Sequence, residues 1–120
     1  MTRILAVDDS PSMREMIRIS LHDAGFTVTE VADGQQALDV ARKGAFDLVL
    51  SDVHMPNMDG IALIRALRAE PAYRHTPILM LTTEASPERK REGKQAGATG
   101  WIVKPFDPQQ LIATMKRVLG

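Results

Sequence analysis

Acidic, hydroxyl and ammonium side chains follow four short apolar segments, each at the point where the segment ends. They are Asp8 and Asp9, Asp52, Thr82 and Thr83, and Lys104. If the segments are parallel strands, their carboxyl ends meet at one edge of a sheet, and we expect these side chains to lie together there. Three carboxylates within reach of one another repel, and a cation among them stabilises their charged forms.

The type of donor favours Mg²⁺ or another oxygen-seeking divalent ion, because the group is carboxylate-rich and the chain contains no cysteine. A carboxylate beside a metal ion, a lysine and a hydroxyl can accept a phosphoryl group. In that chemistry Asp52 is the nucleophile, while the metal and Lys104 neutralise charge on the phosphoryl oxygens. The Thr82 hydroxyl donates a hydrogen bond to them. Taken singly, Asp9 or Asp52 could equally be a helix cap or turn residue; the combination favours a site.

Alternating apolar and amphipathic segments predict five strands and five helices. The strand segments are RILAVD (3–8), TVTEV (27–31), FDLVLS (46–51), PILMLT (77–82) and GWIV (100–103). Four are almost continuously apolar, which is typical of strands buried on both faces, whereas 27–31 alternates and is expected at an edge. The pattern predicts an α/β fold, (βα)5, with a doubly wound five-stranded parallel sheet.

The predicted fourth helix, over 86–99, differs from the others because its only apolar residues are Ala96 and Ala98. Gly93 in its middle costs about 1 kcal/mol relative to alanine. Two interpretations stay open. The helix is either a solvated surface element or a weakly held element that can shift.

The bulk properties indicate one folded domain over residues 1–120, with no output domain. The chain is 44% hydrophobic, and its 15 basic residues balance its 15 acidic ones. A formal net charge of zero gives no reason to expect electrostatic attraction to nucleic acid or to an anionic membrane. Apolar runs fall far short of the roughly 18 residues that span a bilayer, and the N-terminus is no signal peptide. We therefore expect a soluble, cytoplasmic monomer.

Four motifs carry a resemblance to a known family. They are AVDDS (6–10), SDVHMPNMDG (51–60), LTTEA (81–85) and WIVKPF (101–106). Their order and spacing resemble the receiver domain of two-component response regulators, over the whole chain and most closely the single-domain chemotaxis regulators of the CheY kind. The resemblance implies a flavodoxin-like fold with strand order 2-1-3-4-5. It also implies a signalling switch with intrinsic phosphorylation and dephosphorylation chemistry rather than an enzyme.

The resemblance also assigns roles to the site residues. It implies that Asp52 accepts a phosphoryl group from a phosphohistidine on a sensor histidine kinase of the CheA type. Mg²⁺ would be held by Asp52, Asp9, Asp8 at least partly through water, and the His54 carbonyl. Lys104 would pair with the phosphoryl group and precede a cis peptide bond to Pro105.

The implied switch begins at the Thr82 hydroxyl, which would move toward the phosphoryl group, with Thr83 helping to shape the rim. Trp101 occupies the position of the family's aromatic switch residue, usually tyrosine or phenylalanine. It either switches or fills a groove beside the fourth helix, and its N–H needs a partner when buried. The imidazole of His54, or Glu84, could tune the lifetime of the phosphoryl group; equally, His54 could be merely exposed.

The expected function is that of a stand-alone response regulator, and overall similarity alone favours the chemotaxis type. Its fourth helix, fifth strand and fifth helix would bind a downstream protein such as the flagellar motor switch or a phosphatase. The alternative within this class is a phosphorelay shuttle or phosphate sink that passes phosphate to another histidine domain. Kinase specificity is expected on the first helix, over 12–25.

Two other classes fit less well. An aspartyl-phosphate phosphatase would resemble a DxD pattern at the first strand, but here Asp8 and Asp9 are adjacent. A flavin-binding domain needs a Ser/Thr/Gly-rich phosphate loop after that strand. The segment DDSPSM offers acids instead, which would repel the phosphate.

Overall fold

The computed structural model describes residues 2–83 and 86–120, and its elements alternate as the sequence predicts. The strands are β1 (Arg3–Val7), β2 (Thr27–Val31), β3 (Leu48–Asp52), β4 (Ile78–Thr82) and β5 (Gly100–Val103). The helices are α1 (Pro11–Asp23), α2 (Gly34–Lys43), α3 (Gly60–Ala69), α4 (Pro87–Ala96) and α5 (Pro108–Leu119). A 3-10 turn, Pro71–Tyr73, follows α3. Within the described ranges, none of the helices has the length and apolar content needed to cross a membrane.

The five strands form one parallel sheet in the order β2-β1-β3-β4-β5. The predicted (βα)5 fold and strand order are therefore confirmed, and β2 lies at an edge as its alternating pattern indicates. Every residue of β3 and of β4 is buried. β3 begins at Leu48 rather than at Phe46, but the strand still ends on Asp52.

Two apolar clusters cover the two faces of the sheet and hold its central strands in place. One face packs against α1 and α5 through Ile4, Ala6, Leu48, Leu50, Leu79, Leu81, Ile17, Leu21, Leu111 and Met115. The other packs against α2, α3 and α4 through Leu5, Val7, Val49, Ile78, Met80, Ala37, Leu38, Leu63, Ile64, Leu67 and Ala96. Because side chains alternate along a strand, a continuous apolar run supplies both faces at once.

Each of the five helices begins at a side-chain cap. The caps are Ser10, Asp33, Asp59, Ser86 and Asp107, and each accepts a hydrogen bond from a backbone N–H in the first turn. Such a bond satisfies one of the amides that a helix leaves unpaired at its start. All five caps are serine or aspartate, residue types that are strongly preferred at this position.

α4 has little apolar surface, and Arg68 supplies a polar attachment at its C-terminal end. The helix buries only Gly93 and Ala96 and ends at Gly97, which has φ 114°. The Arg68 guanidinium donates to the Gly97 carbonyl from Nη2 at 2.8 Å and from Nε at 3.1 Å. It also donates to the carbonyls of Tyr73 and Thr76, each at 2.7 Å. One side chain of α3 thereby joins the end of α4 to the loop before β4.

We expect Arg68→Met to lower the free energy of unfolding by about 2 kcal/mol, because charge-assisted hydrogen bonds of this kind contribute roughly 1.5–3 kcal/mol. Urea denaturation measures the change. Arg65→Met is the matched control, since Arg65 is exposed on the same helix. Equal stability of the two variants would contradict the attachment.

Candidate functional site

The carboxylates of Asp8, Asp9 and Asp52 lie at the carboxyl edge of the sheet, with oxygen atoms all within 4.8 Å of one another. β1 and β3 are neighbours in which Val7 pairs with Ser51, so Asp8 comes next to Asp52 at the end of that ladder. Asp8 is fully buried, Asp52 is 8% exposed and Asp9 is exposed. The structure therefore brings together the three acids that the sequence predicts.

Lys104 joins two of these acids. Its Nζ lies 2.7 Å from Oδ2 of Asp8 and 3.2 Å from Oδ2 of Asp52. Its backbone N–H donates to the Thr82 carbonyl at 2.7 Å, which fixes the start of the side chain beside β4. The cis peptide bond between Lys104 and Pro105 is present as expected.

Burial and charge act in opposite directions on the pKa of Lys104. Burial disfavours the ammonium, but the hydrogen bond to Asp8 and the attraction of Asp52 and Asp8 outweigh it, so the pKa lies above its usual value. Lys104 is therefore a fixed positive charge at neutral pH.

Asp52 is held in one orientation by its neighbours. Its Oδ1 accepts a hydrogen bond from the Val53 amide at 2.8 Å, while Oδ2 faces Lys104. Burial raises the pKa of Asp52, and the negative charge of Asp8 adds to this; Lys104 and the Val53 hydrogen bond only partly offset the rise. Ionisation of the Asp52 carboxyl group therefore costs more free energy in the folded chain than in an unfolded one.

Asp8 already uses both of its carboxylate oxygens within the chain. Oδ1 accepts from the Ser10 amide at 2.9 Å, and Oδ2 accepts from Lys104. Arg14 donates to the Asp8 carbonyl at 2.6 Å, so the backbone at the end of β1 is also held. These contacts suit an acid that reaches a metal partly through water, as the family resemblance implies.

The cluster fits an oxygen-seeking divalent cation. Three carboxylates face one ammonium, which leaves an excess of negative charge around converging oxygen atoms. Carboxylate oxygens are the ligands of Mg²⁺, and the cluster includes no imidazole or thiolate that would favour zinc. His54 lies two residues beyond β3 with an exposed side chain. The role of its carbonyl as a ligand stays a prediction.

The two threonines at the end of β4 differ in environment. Thr82 is fully buried one residue beyond Leu81, which pairs with Asp52, whereas Thr83 is exposed at the rim. Thr82 therefore shares the carboxyl edge with the acids, as predicted. Glu84 lies outside the described residues.

Trp101 packs against α4 at a position that only glycine allows. A Cβ atom on Gly93 would lie 2.7 Å from Cζ3 of the indole, which is closer than carbon atoms approach. The ring joins the apolar cluster beneath α4, and its Nε1 is buried without a hydrogen-bond partner among the described residues. Trp101 thus occupies the predicted groove beside the fourth helix. Whether it also switches stays a prediction.

Gly93 and Asp33 are the residues whose importance the sequence interpretation missed. The sequence predicts only that Gly93 weakens α4, and Asp33 is not among the candidate site residues. For Gly93, the available signal was that the chain has a single tryptophan, Trp101, and a glycine inside the predicted fourth helix. Asp33 has a second contact, to Asn57, that no sequence spacing indicates.

We expect Asp52→Asn to stabilise the metal-free protein at pH 7. Because the pKa of Asp52 is raised in the folded state, stability falls as the pH rises from the unfolded aspartate value toward the folded pKa, and the loss is complete above the folded pKa. The advantage of the variant should shrink as the pH is lowered toward the ordinary aspartate value of about 3.9, where both states become protonated. Urea denaturation with chelator at several pH values measures it, with exposed Asp59→Asn as control. A variant less stable than wild type at pH 7 would contradict this.

We expect Gly93→Ala to move the Trp101 indole toward solvent, because the added methyl group occupies its space. Fluorescence emission should shift to longer wavelength. The gain in helix propensity of about 1 kcal/mol should be largely offset by the lost packing. Gln95→Ala, at an exposed position of the same helix, is the control. Unchanged emission together with the full gain in stability would show that the contact is unimportant.

Two chemotaxis proteins resemble this chain over almost its whole length. Chemotaxis protein CheY of Pseudomonas aeruginosa is 44% identical over 117 residues, which are 97% of this chain and 94% of that protein. The solved structure of chemotaxis protein CheY4 of Vibrio cholerae has a TM-score of 0.95 and 54% identity, covering 98% of both chains.

A third relative was solved with a metal ion. The receiver domain of a sensor histidine kinase from Pseudomonas aeruginosa, with a magnesium ion coordinated in its active-site cleft, has a TM-score of 0.93 and 34% identity. It covers 99% of this chain and 98% of its own. Residues 4–116 match the description "Response regulator receiver domain". The chain therefore belongs to the response regulator receiver domain family, whose CheY-like members are signalling switches of two-component systems.

Proposed function

We propose that this chain is a phosphorylation-controlled switch in which Asp52 accepts a phosphoryl group from a phosphohistidine on a sensor histidine kinase. The observation that carries the proposal is the buried Asp52 carboxylate, placed between Asp8, Asp9 and the Lys104 ammonium. The chemotaxis names of its relatives support a kinase of the chemotaxis class as donor.

In the proposed reaction, a carboxylate oxygen of Asp52 forms the bond to phosphorus as the bond from phosphorus to the histidine nitrogen breaks. The electron pair of the broken bond stays on that nitrogen. Lys104 is within reach of the transferred group because its Nζ lies 3.2 Å from Oδ2 of Asp52. Its charge stabilises the phosphoryl oxygens, and the Val53 amide keeps the carboxylate aligned.

Mg²⁺ held by Asp8, Asp9 and Asp52, with the His54 carbonyl as a further ligand, would supply positive charge to the phosphoryl oxygens. The same charge favours the ionised form of Asp52, which alone is nucleophilic. Without such a cation, burial and Asp8 raise the pKa of Asp52. The chain's own contribution is thus to assemble carboxylates that repel one another until a cation binds.

The proposed output surface consists of α4, β5 and α5. β4 and β5 are paired, with Met80 opposite Trp101 and Thr82 opposite Val103. A movement of Thr82 toward the phosphoryl group would therefore act on the strand that carries Trp101. The indole is in turn seated on α4 at Gly93, so a change at β5 reaches the helix.

That surface would bind a downstream protein, such as the flagellar motor switch or a phosphatase, when Asp52 is phosphorylated. Val103 is 46% exposed there and offers apolar contact to such a partner. α4 has the properties of an element that moves at low cost, since it buries only Gly93 and Ala96. The proposal places the chain in the cytoplasm as a monomer.

We expect the phosphorylated kinase domain of a chemotaxis histidine kinase to transfer its label to the wild-type chain in the presence of Mg²⁺. Asp52→Asn and removal of Mg²⁺ by chelation should each reduce transfer at least 100-fold, because the nucleophile or the neutralising charge is lost. Radiolabel on denaturing gels measures it.

Asp59→Asn is the matched control, because Asp59 ends the loop that follows Asp52, is exposed, and caps α3. This variant should accept the label at the wild-type rate. Label that persists on Asp52→Asn would overturn the assignment of the acceptor, and transfer unaffected by chelation would overturn the metal.

A further inference from the structure

The loop from Val53 to Asp59 follows the phosphoryl acceptor directly and carries His54. Its two ends are tied together, because the Gly60 amide donates to the Val53 carbonyl at 2.8 Å. Gly60 is required at this point: a Cβ atom there would collide with the Asp52 carbonyl oxygen and lie 2.7 Å from Cε of Met80. The base of the loop is therefore packed against the end of β3.

The tip of the loop rests on the start of α2. Asn57 donates from Nδ2 to Oδ2 of Asp33 at 3.0 Å. Beside this bond, the backbone of Met58 approaches Gly34 so closely that a Cβ atom on Gly34 would collide with the Met58 carbonyl oxygen. Two independent contacts thus hold the tip, one a hydrogen bond and the other a steric fit.

Asn57 has φ 68°, a left-handed conformation that an L-residue adopts at some cost. Among residues other than glycine, asparagine and aspartate tolerate it best, which suits the residue at the tip. A backbone conformation of this kind persists when surrounding contacts determine it. The hydrogen bond to Asp33 and the contact with Gly34 are such contacts.

Asp33 does more than a helix cap requires. Its Oδ1 accepts from the Gln36 amide at 2.8 Å, which completes the cap of α2. A serine would cap as well. The second oxygen, Oδ2, is used for Asn57, and the residue is 8% exposed. Burial of a carboxylate beyond the needs of the cap points to a function for the contact with the loop.

We propose that Asp33 is a positioning residue for the metal centre, whose bond to Asn57 holds the loop so that the backbone at His54 is presented to Mg²⁺. Asp33 contributes no ligand itself, yet metal affinity depends on it. The inference rests on the proposed function, because it takes the His54 carbonyl as a ligand. It adds the residue that caps α2 to a site otherwise built at the ends of β1, β3, β4 and β5.

We expect Asp33→Ser to weaken Mg²⁺ binding about tenfold, as is common when a residue that supports a ligand is removed. Calorimetric titration of the full chain at pH 7 measures the dissociation constant. Asp59→Ser is the matched control. It makes the same exchange at the cap of α3, where Asp59 is exposed and ends the loop that carries His54. The control should bind Mg²⁺ within about twofold of wild type.

A reciprocal exchange tests the bond itself. Asn57→Asp places two carboxylates opposite each other and should loosen the tip. Adding Asp33→Asn restores a donor and an acceptor in reversed positions, with the total charge of wild type. We expect amide hydrogen exchange of residues 54–58 in the metal-free protein to rise in Asn57→Asp and in Asp33→Ser, and to return to the wild-type rate in the double variant.

The outcomes separate this inference from the proposed function. If wild type binds Mg²⁺ but Asp33→Ser binds it equally well, or no more weakly than Asp59→Ser, the positioning role is wrong and the proposed function stands. Exchange rates unchanged in Asp33→Ser would also overturn it. If wild type fails to bind Mg²⁺ at all, the metal part of the proposed function is wrong and the inference is lost with it.

Discussion

Electrostatic repulsion among Asp8, Asp9 and Asp52 is the constraint on which the rest of the structure depends. Their oxygens lie within 4.8 Å, and two of the three side chains are buried. Carboxylates in such positions separate or take up protons unless rigid packing and positive charge hold them. The packing comes from the apolar clusters on both faces of the sheet, and the charge within the chain comes from Lys104. The site is therefore held in a state that favours the arrival of a cation.

The rigidity of this edge contrasts with the weak attachment of α4. β3 and β4 are buried along their whole length. By contrast, α4 contacts the body through Ala96, the Gly93–Trp101 contact and the Arg68 bonds at its C-terminal end. A signalling domain of this family needs both properties, because the acceptor must be aligned and the output surface must change at low cost. Here they belong to different elements that are joined through the β4–β5 pair.

Much of the fold could be predicted because the sequence signals are local and consistent. Continuous apolar runs mark the buried strands, and Ser10, Asp33, Ser86 and Asp107 mark helix starts, so local and global preferences agree. The candidate acids followed from the same signals, since a residue that ends a parallel strand must lie at its carboxyl edge. β3 begins two residues later than predicted, and α4 ends at Ala96 rather than at Thr99 because Gly97, with φ 114°, ends the helix.

The sequence by itself determined the element order, the strand order through the family motifs, and the set of residues at the carboxyl edge. Only the tertiary structure decided which of these residues touch: Lys104 bonds Asp8 more closely than Asp52, and Asp33 reaches Asn57 across 24 residues. It also decided that Gly93 accommodates the Trp101 ring. The physical reason is that strand ends and caps follow from neighbours in the chain, whereas these contacts depend on packing between elements that are distant in sequence.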